Sequence, residues 1–311
     1  MTSSRYEQGV LGDINTDAHG LFAISSLPPQ QGYGCLTLKK HEVRHLFGPS
    51  DVENLPVGPK VCVGAGTGLG ECYLTPDAKG TYTCFASEGG HVEFSPRNND
   101  VEIAMFRYLT DKFGANERVP RDRMSVERVV SGKGLANVYE FLASEYGPDE
   151  SIHEEFLAAS DQQGRVVAEN AGVEGSRARQ AMKIMMRAYG CEVGSAAINW
   201  IPKGGLFVSG GLTPKNIKFI EGEDSEFMVA YRNKGRVQTI LDGVPLFAVL
   251  VEDLGVRGAH KAASIEYEKI TGNSVAEKVT GLGAFLKDHG LVIAVTASLS
   301  VAAGYFLRKR A

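Results

Sequence analysis

No C-x-x-C pair occurs in the sequence, and its five cysteines are odd in number and lie mostly within apolar runs. This pattern argues against a disulfide framework and favours buried free thiols in a reducing compartment. An excess of basic residues is also lacking, because 33 lysines and arginines stand against 37 acidic residues, a net charge of −4. Without a basic field to gather phosphates, a nucleic-acid partner is not expected. Residues 1–20 lack an apolar core, which argues against a secretory signal.

Long apolar runs are scarce, with one exception near the C-terminus. Residues 290–307 (GLVIAVTASLSVAAGYFL) carry no charge and are followed by Arg308-Lys309-Arg310. A helix of this length measures about 27 Å, close to the roughly 30 Å of bilayer hydrocarbon. We therefore expect a tail anchor in an organelle membrane, with the rest of the chain facing the cytosol. Thr296, Ser298 and Ser300 keep two alternatives open, a buried terminal helix and a contact in a homodimer.

The remainder of the chain has the composition of a globular protein, with 43% hydrophobic and 23% charged residues. Strand and helix patterns alternate from residue 60 onward, which predicts an α/β domain with a largely parallel sheet. Residues 25–31 have the composition of a loop. Strands are predicted at 60–63, 72–74, 81–86, 205–209 and 244–251. Helices are predicted from residue 100, from 125 to 146 with an interruption at 132–134, at 152–159, at 176–200, and from about 260.

A glycine-rich turn joins two of the predicted strands. Gly64, Gly66, Gly68 and Gly70 alternate with other residues, and apolar strand residues resume after them, so the glycines form the turn of a hairpin. Glycines let backbone N–H groups approach a ligand closely and converge on a phosphate, and Thr67 adds a hydroxyl donor. No lysine follows, so this is not a P-loop. A glycine hairpin without any ligand is the alternative.

Three further groups of residues could carry chemistry. Glu88 and His91 flank two glycines at a strand end, where they could bond adjacent sugar hydroxyls; a solvated loop is the alternative. Glu127 is predicted at the start of a helix, where a carboxylate could merely stabilise the helix dipole. Gly210 and Gly211 follow a buried strand, and ligands of α/β sheets bind at such strand ends.

In their order and spacing these motifs resemble the bacterial-type glucokinase family. The likeness rests on G-A-G-T-G-L-G, then E-G-G-H, then E-R-V-V-S-G-K-G-L and finally G-G-L-F-V-S-G-G, and it runs from about residue 32 to residue 259. The resemblance implies an actin-like, ribonuclease H-like sugar kinase fold. It also implies phosphorylation of the 6-hydroxyl of glucose with ATP and Mg²⁺ as cofactors.

The same resemblance implies a role for each matching residue. Glu88, His91 and Glu127 correspond to sugar ligands. The nucleotide and its phosphates correspond to Gly64, Gly66, Thr67, Gly68, Gly210 and Gly211. No side chain is assigned to a metal.

The N-terminal part departs from the family pattern. The family has a catalytic aspartate shortly before a stretch matched by Gln31-Gly32-Tyr33-Gly34, and counting back places Leu27 at that position. The family's first phosphate loop carries a glycine pair, whereas Asn15-Thr16 follows Gly12-Asp13-Ile14 here. No catalytic residue is therefore assigned. An incomplete gene model and a degenerate paralogue both fit this pattern.

These observations predict a complete large α/β domain and a vestigial small one. The expected segments are a small-domain remnant (1–37), the large sugar- and nucleotide-binding domain (38–258), a C-terminal helix region (259–286) and the apolar tail helix (287–311). The predicted function is ATP-dependent phosphorylation of glucose to glucose 6-phosphate, impaired if Leu27 leaves the site without a base. The alternative is a membrane-tethered sugar-binding or scaffold protein without kinase activity.

Overall fold

The computed structural model describes residues 28–114 and 123–271. The sequence predictions for Leu27 and the rest of residues 1–27, and for the apolar run 290–307, lie outside these ranges. Within them, no helix is both long and apolar enough to cross a membrane.

A six-stranded mixed sheet forms the centre of the domain, with strand order β1-β6-β5-β2-β3-β4. Only the pairings β2–β5 and β5–β6 are parallel, while β1–β6, β2–β3 and β3–β4 are antiparallel. The predicted α/β class is confirmed, but the expectation of a largely parallel sheet was wrong. Short hairpin connections force antiparallel pairing of β2, β3 and β4, since a parallel pair needs a long crossover. The strands are β1 (Val43–Phe47), β2 (Lys60–Ala65), β3 (Leu69–Pro76), β4 (Tyr82–Ser87), β5 (Leu206–Ser209) and β6 (Leu246–Val249).

Helices cover both faces of this sheet. The helices of the described ranges are α1 (Pro28–Cys35), α2 (Asp100–Gly114), α3 (Gly132–Tyr146), α4 (His153–Ala158), α5 (Gln163–Asn170), α6 (Arg177–Trp200), α7 (Leu212–Lys215), α8 (Ile217–Ile220), α9 (Glu226–Arg232) and α10 (Leu254–Thr271).

The long helix α6 anchors one face of the sheet. Its buried Tyr189 hydroxyl donates to the carbonyl of Val63 on β2 at 3.1 Å, and the Trp200 ring stacks on Tyr73 of β3 with centroids 3.8 Å apart. Alternate strand residues point to the other face, where a second, smaller core includes Cys62 and Phe207. The sheet is therefore a rigid platform whose strand ends position the loops described below.

Helix α1 is a correction to the sequence prediction. Residues 25–31 were expected to form a loop, yet the described helix begins at Pro28. Proline suits a first helical turn because its missing N–H has no partner there and its φ angle is already helical. Packing against α10 holds the helix: a Cβ on Gly34 would collide with the Leu254 carbonyl, and one on Gly258 would collide with the Gln30 carbonyl. The glycines permit this close approach.

Two other helix boundaries differ from expectation. Residues 125–131 do not form an α-helix; Val126–Arg128 is a 3-10 turn, and α3 begins at Gly132. The Ser131 hydroxyl accepts from the Gly134 N–H at 2.8 Å, so it caps a new helix where the sequence suggested an interruption. The C-terminal helix begins at Leu254, six residues before the predicted start.

Replacing Gly258 by alanine is expected to lower the free energy of unfolding by roughly 1–3 kcal/mol, because the new methyl group would push α1 away from α10. Gly255→Ala in the same helix is the matched control, since a Cβ there would meet nothing within 4 Å. It should leave stability unchanged or raise it by up to about 1 kcal/mol. Urea unfolding of both variants measures the difference, and equal midpoints would contradict the close packing.

Candidate functional site

The glycine-rich hairpin is present as the sequence predicts. Strands β2 and β3 pair from Lys60↔Leu74 to Ala65↔Leu69, and the Gly66 N–H donates to the Gly68 carbonyl at 2.8 Å to close the turn. The Gly66 carbonyl accepts from the N–H of Gly132, the first residue of α3, at 2.8 Å. A Cβ on Gly66 would meet no atom within 4 Å, so open space borders the tip of the hairpin.

The E-G-G-H segment forms a 3-10 turn immediately after β4. The His91 N–H donates to the Glu88 carbonyl at 2.9 Å, and the His91 Nε2 and Glu88 Oε2 atoms lie 3.8 Å apart. Both side chains are solvent-accessible, with 91% of Glu88 and 52% of His91 exposed. The turn therefore presents an acceptor and a donor side by side to any ligand on this surface.

Two glycines seat this turn on strand β3. A Cβ on Gly90 would collide with the Leu69 carbonyl, and one on Gly89 would lie 2.8 Å from the Glu71 carboxyl carbon. The side chain of Glu71 is buried, and this burial raises its pKa to about 7. A larger residue at Gly90 would push the turn away from the strand, because the obstacle there is the Leu69 backbone. At Gly89 the obstacle is the Glu71 side chain, which would have to shift.

Glu127 contacts the start of the same strand. Its Oε2 atom accepts from the Leu69 N–H at 2.9 Å and lies against Gly68. The segment before it pairs with the segment after the E-G-G-H turn, because the Val126 N–H donates to the Val92 carbonyl at 2.9 Å. Glu127 therefore lies in a 3-10 turn, where its carboxylate binds a backbone N–H of the hairpin.

Gly210 and Gly211 lie beside the base of the hairpin. Gly210 has a φ of +83°, which favours glycine, and a Cβ there would collide with the Ala65 backbone. The buried Ser209 just before it shares a hydrogen bond of 3.1 Å with Cys62 and donates to Gln31 Oε1 at 3.1 Å. The geometry thus brings Gly210 against Ala65 at the base of the hairpin.

Leu69 is the point at which the separate motifs meet. Its N–H binds Glu127, its carbonyl lies against Gly90, and its backbone pairs with Ala65 beside Gly210. Sequence reasoning missed Leu69 and Ser209, because Leu69 contributes its backbone and Ser209 is buried. A leucine between two hairpin glycines carries no chemical signal of its own.

The two glycine positions differ in the space beside them. Open space borders Gly66, whereas the Ala65 backbone fills the position that a Cβ on Gly210 would take. Among the described residues, no three histidine, cysteine, aspartate or glutamate side chains are grouped to hold a metal ion. Mg²⁺ that accompanies ATP is held largely by phosphates and water, so it needs few protein ligands.

Known proteins resemble this chain along most of its length. A family model described as Glucokinase matches residues 29–265. A glucokinase from Synechocystis sp. is 37% identical over 246 residues, which cover 75% of this chain and 66% of the relative. A glucokinase from Nostoc sp. is 34% identical over 245 residues, covering 75% of this chain and 68% of the relative. The chain thus spans about two thirds of the length of these relatives.

Solved structures show the same fold at lower identity. A glucokinase from an Antarctic psychrotroph matches with a TM-score of 0.58 and 21% identity, covering 75% of this chain and 66% of that chain. A Balamuthia mandrillaris glucokinase in complex with glucose matches with a TM-score of 0.61 and 22% identity, covering 74% and 62%. These likenesses confirm the sugar kinase type of α/β fold.

Proposed function

The chain belongs to the glucokinase family, and from this premise we propose that it serves ATP-dependent phosphorylation of glucose to glucose 6-phosphate. The carrying observation is that Leu69 joins the candidate sugar residues to the glycine hairpin through its own backbone. The sugar hydroxyl and the γ-phosphate must come close together for phosphoryl transfer. Both candidate regions contact the start of β3 at Leu69, which would provide that proximity.

On the sugar side, Glu88, His91 and Glu127 would bind adjacent hydroxyls. Glu88 and Glu127 accept hydrogen bonds as carboxylates, and His91 can donate or accept. Their separation along the chain is bridged by the pairing of residues 92–94 with 124–126, which holds the two turns in register. Charged acceptors strengthen these bonds relative to neutral ones.

On the nucleotide side, the hairpin and the β5 end would hold ATP. Open space at Gly66 would admit a phosphate at the tip of the hairpin, and the Thr67 hydroxyl would add a donor. The space beside Gly64 is taken by Gln31 and that beside Gly68 by Glu127, so these two glycines would shape the turn. Gly210 and Gly211 would border the adenosine. When bound, Mg²⁺ neutralises charge on the transferring phosphoryl group. The described domain then supplies recognition and phosphate binding, while the general base stays unassigned because the matching position, Leu27, has no carboxylate.

The enzyme reading is preferred to a membrane-tethered sugar-binding or scaffold protein, because the reported relatives are named glucokinases. We also propose the domain organisation that the sequence indicates. It consists of a vestigial small-domain remnant (1–37), a large sugar- and nucleotide-binding domain (38–258), a C-terminal helix region (259–286) and an apolar tail helix (287–311). Membrane attachment through residues 290–307 is likewise proposed from the sequence. Carbonate extraction of the full chain and of a chain without these residues tests the attachment. Equal release of the two proteins into the supernatant would exclude membrane attachment through this segment.

The nucleotide half of the proposal can be tested at Gly66. A methyl group there would occupy the open space that the proposal gives to a phosphate, while no protein atom would be displaced. Gly66→Ala should therefore weaken binding of a non-hydrolysable ATP analogue at least tenfold in calorimetry and leave the thermal midpoint within about 2 °C. Gly172→Ala, where a Cβ also meets nothing, is the control. Unchanged analogue affinity in Gly66→Ala would exclude the hairpin as the phosphate site.

A further inference from the structure

Four of the five cysteines lie together in the second, smaller core, on the face of the sheet that α1 covers. They are Cys35 on α1, Cys62 on β2, Cys72 on β3 and Cys84 on β4. All four are free thiols; Cys84 is half-buried and the others are buried. Each thiol interacts with the next one in this order. The cluster therefore connects a partly accessible sulfur atom to buried ones.

Cys62 and Cys72 have the geometry that a disulfide needs. They face each other across the β2–β3 pair as direct partners in the register. Directly opposed Cα atoms of antiparallel strands lie about 4.5–5.5 Å apart. This separation falls within the roughly 4.4–6.8 Å that disulfides span. Opposed residues also point to the same face of the sheet, so the two sulfur atoms can meet without a change of register.

Cys84 provides the route by which an oxidant would reach this pair. It lies on β4, which forms one edge of the sheet. It is diagonal to Cys72, because Cys72 pairs with Ala86 and Cys84 pairs with Leu74. Both sulfur atoms approach one point on α1, since the Cβ position of Gly32 is 2.7 Å from the Cys72 Sγ atom and 2.5 Å from the Cys84 Sγ atom. Glycine at this position leaves the two sulfur atoms within reach of each other.

The Cys62 thiol is also connected to the base of the glycine hairpin. The Ser209 hydroxyl donates its single proton to Gln31 Oε1 at 3.1 Å, so the 3.1 Å contact between Cys62 Sγ and Ser209 Oγ uses the thiol proton. Gln31 Oε1 and Ser209 Oγ in turn lie 2.5 Å and 2.8 Å from the Cβ position of Gly64, near the start of the hairpin. A chemical change at Cys62 therefore acts on the hairpin through two side chains.

We propose that Cys62, Cys72 and Cys84 form a peroxide-sensitive thiol site, whose oxidation to a Cys62–Cys72 disulfide lowers the affinity for ATP. The Cys84 sulfur first attacks hydrogen peroxide: the O–O bond breaks, water leaves and a sulfenic acid forms. The Cys72 sulfur then bonds to the Cys84 sulfur and displaces the hydroxyl group as a second water. Attack by the Cys62 sulfur on Cys72 moves the disulfide inward and returns a thiol to Cys84. In total, two thiols lose two protons and two electrons, and one peroxide becomes two waters.

The disulfide removes the proton that Cys62 donates to Ser209 and draws the Cys62 sulfur toward β3. Loss of this hydrogen bond beneath the hairpin should weaken binding of a non-hydrolysable ATP analogue roughly two- to tenfold. Reduction with dithiothreitol should restore the affinity. The effect on the analogue rests on the proposed function, whereas formation of the disulfide does not.

Peptide mass mapping of the full chain after treatment with hydrogen peroxide tests the covalent step. After denaturation and alkylation, trypsin places Cys62 and Cys72 together in peptide 61–79 and Cys84 in peptide 80–97. We expect peptide 61–79 to carry no alkyl group and to be two hydrogen atoms lighter than its dithiol form. Peptide 80–97 should be alkylated, because Cys84 ends the sequence as a thiol.

Serine variants assign the role of each thiol. Cys72→Ser should abolish the disulfide, and Cys84→Ser should slow its formation because the accessible sulfur is missing. Cys191→Ser is the matched control, since Cys191 lies on α6 outside the cluster, and it should form the disulfide as the parent does. If a variant does not fold, the peptide map of the parent still decides.

Calorimetry with the ATP analogue on the reduced, oxidised and re-reduced parent tests the functional step. The inference would be overturned if peptide 61–79 stayed fully alkylated after peroxide treatment, or if the stable product linked it to peptide 80–97. Parental analogue affinity in the oxidised chain would overturn it as well. No analogue binding by the reduced chain would instead reject the proposed nucleotide site and with it the effect on ATP, and the peptide map would then decide the disulfide alone.

Discussion

Assayed alone, the 311-residue polypeptide is expected to phosphorylate glucose roughly 10²–10⁴-fold more slowly than an enzyme with its general base in place. The reason is that Leu27 stands where the family resemblance places the catalytic aspartate. Leu27→Asp should restore little, since Asn15-Thr16 replaces the glycine pair of the first phosphate loop. A lost phosphate donor costs about 3 kcal/mol of transition-state stabilisation. A coupled assay of glucose and ATP consumption measures the turnover of the parent and of Leu27→Asp.

Leu27→Asn is the matched control for this experiment, because it has the shape of aspartate without its basicity. We expect a similarly low turnover in the parent, in Leu27→Asn and in Leu27→Asp. A parent kcat within the usual range of roughly 1–10³ s⁻¹ would contradict the prediction and show that another carboxylate acts as the base. A rise to that range only in Leu27→Asp would show that the base alone was lacking.

Truncation of Glu127 is expected to weaken the binding of both glucose and ATP. Glu127→Ala removes a proposed sugar ligand and also leaves the Leu69 N–H without its acceptor. Loss of the bond from the carboxylate to a sugar hydroxyl costs about 1–3 kcal/mol, which corresponds to roughly 5- to 150-fold in affinity for glucose. The glycine hairpin loses its brace in the same step, so affinity for an ATP analogue should fall as well. Calorimetry with each ligand measures the two effects.

Glu127→Gln separates the two roles of this side chain. Its amide oxygen can still accept from the Leu69 N–H, so analogue binding should stay near the parent value while glucose binding weakens through loss of the charge. Glu169→Gln on α5, in an exposed pair with Arg165, is the control and should change neither. Parental affinities for both ligands in Glu127→Ala would show that the carboxylate serves neither substrate.

The parts of the fold that were predictable from sequence are those in which local signals agree. Alternating glycines between apolar strands predicted the β2–β3 hairpin, and the periodic stretch 176–200 predicted α6, which Ser176 caps in the structure. Helix α1 was not predictable, because serine and proline residues favour a loop when residues 25–31 are judged locally. It forms because Gly34 and Gly258 allow close packing between α1 and α10, a tertiary contact that overrides propensity.

The candidate site also combines residues that were recognisable in the sequence with contacts that were not. Glu88, His91 and Glu127 could be named as candidates from sequence because carboxylate and imidazole side chains are recognisable hydrogen-bonding groups. The arrangement that unites them depends on backbone groups of Leu69, Gly66 and Gly132, and these have no residue-type signature. The burial of Glu71 was also hidden, since a single glutamate after Gly70 resembles any solvent-facing strand residue.

The central claim is that the sugar residues and the phosphate hairpin form one site around Leu69. Two-dimensional NMR of the ¹⁵N-labelled chain tests it most directly, with glucose added first and a non-hydrolysable ATP analogue second. We predict that glucose shifts the amide signals of Leu69 and Gly90, and that the analogue shifts those of Gly66 and Leu69. Glucose shifts confined to another part of the domain, or a Leu69 amide unmoved by either ligand, would contradict the account.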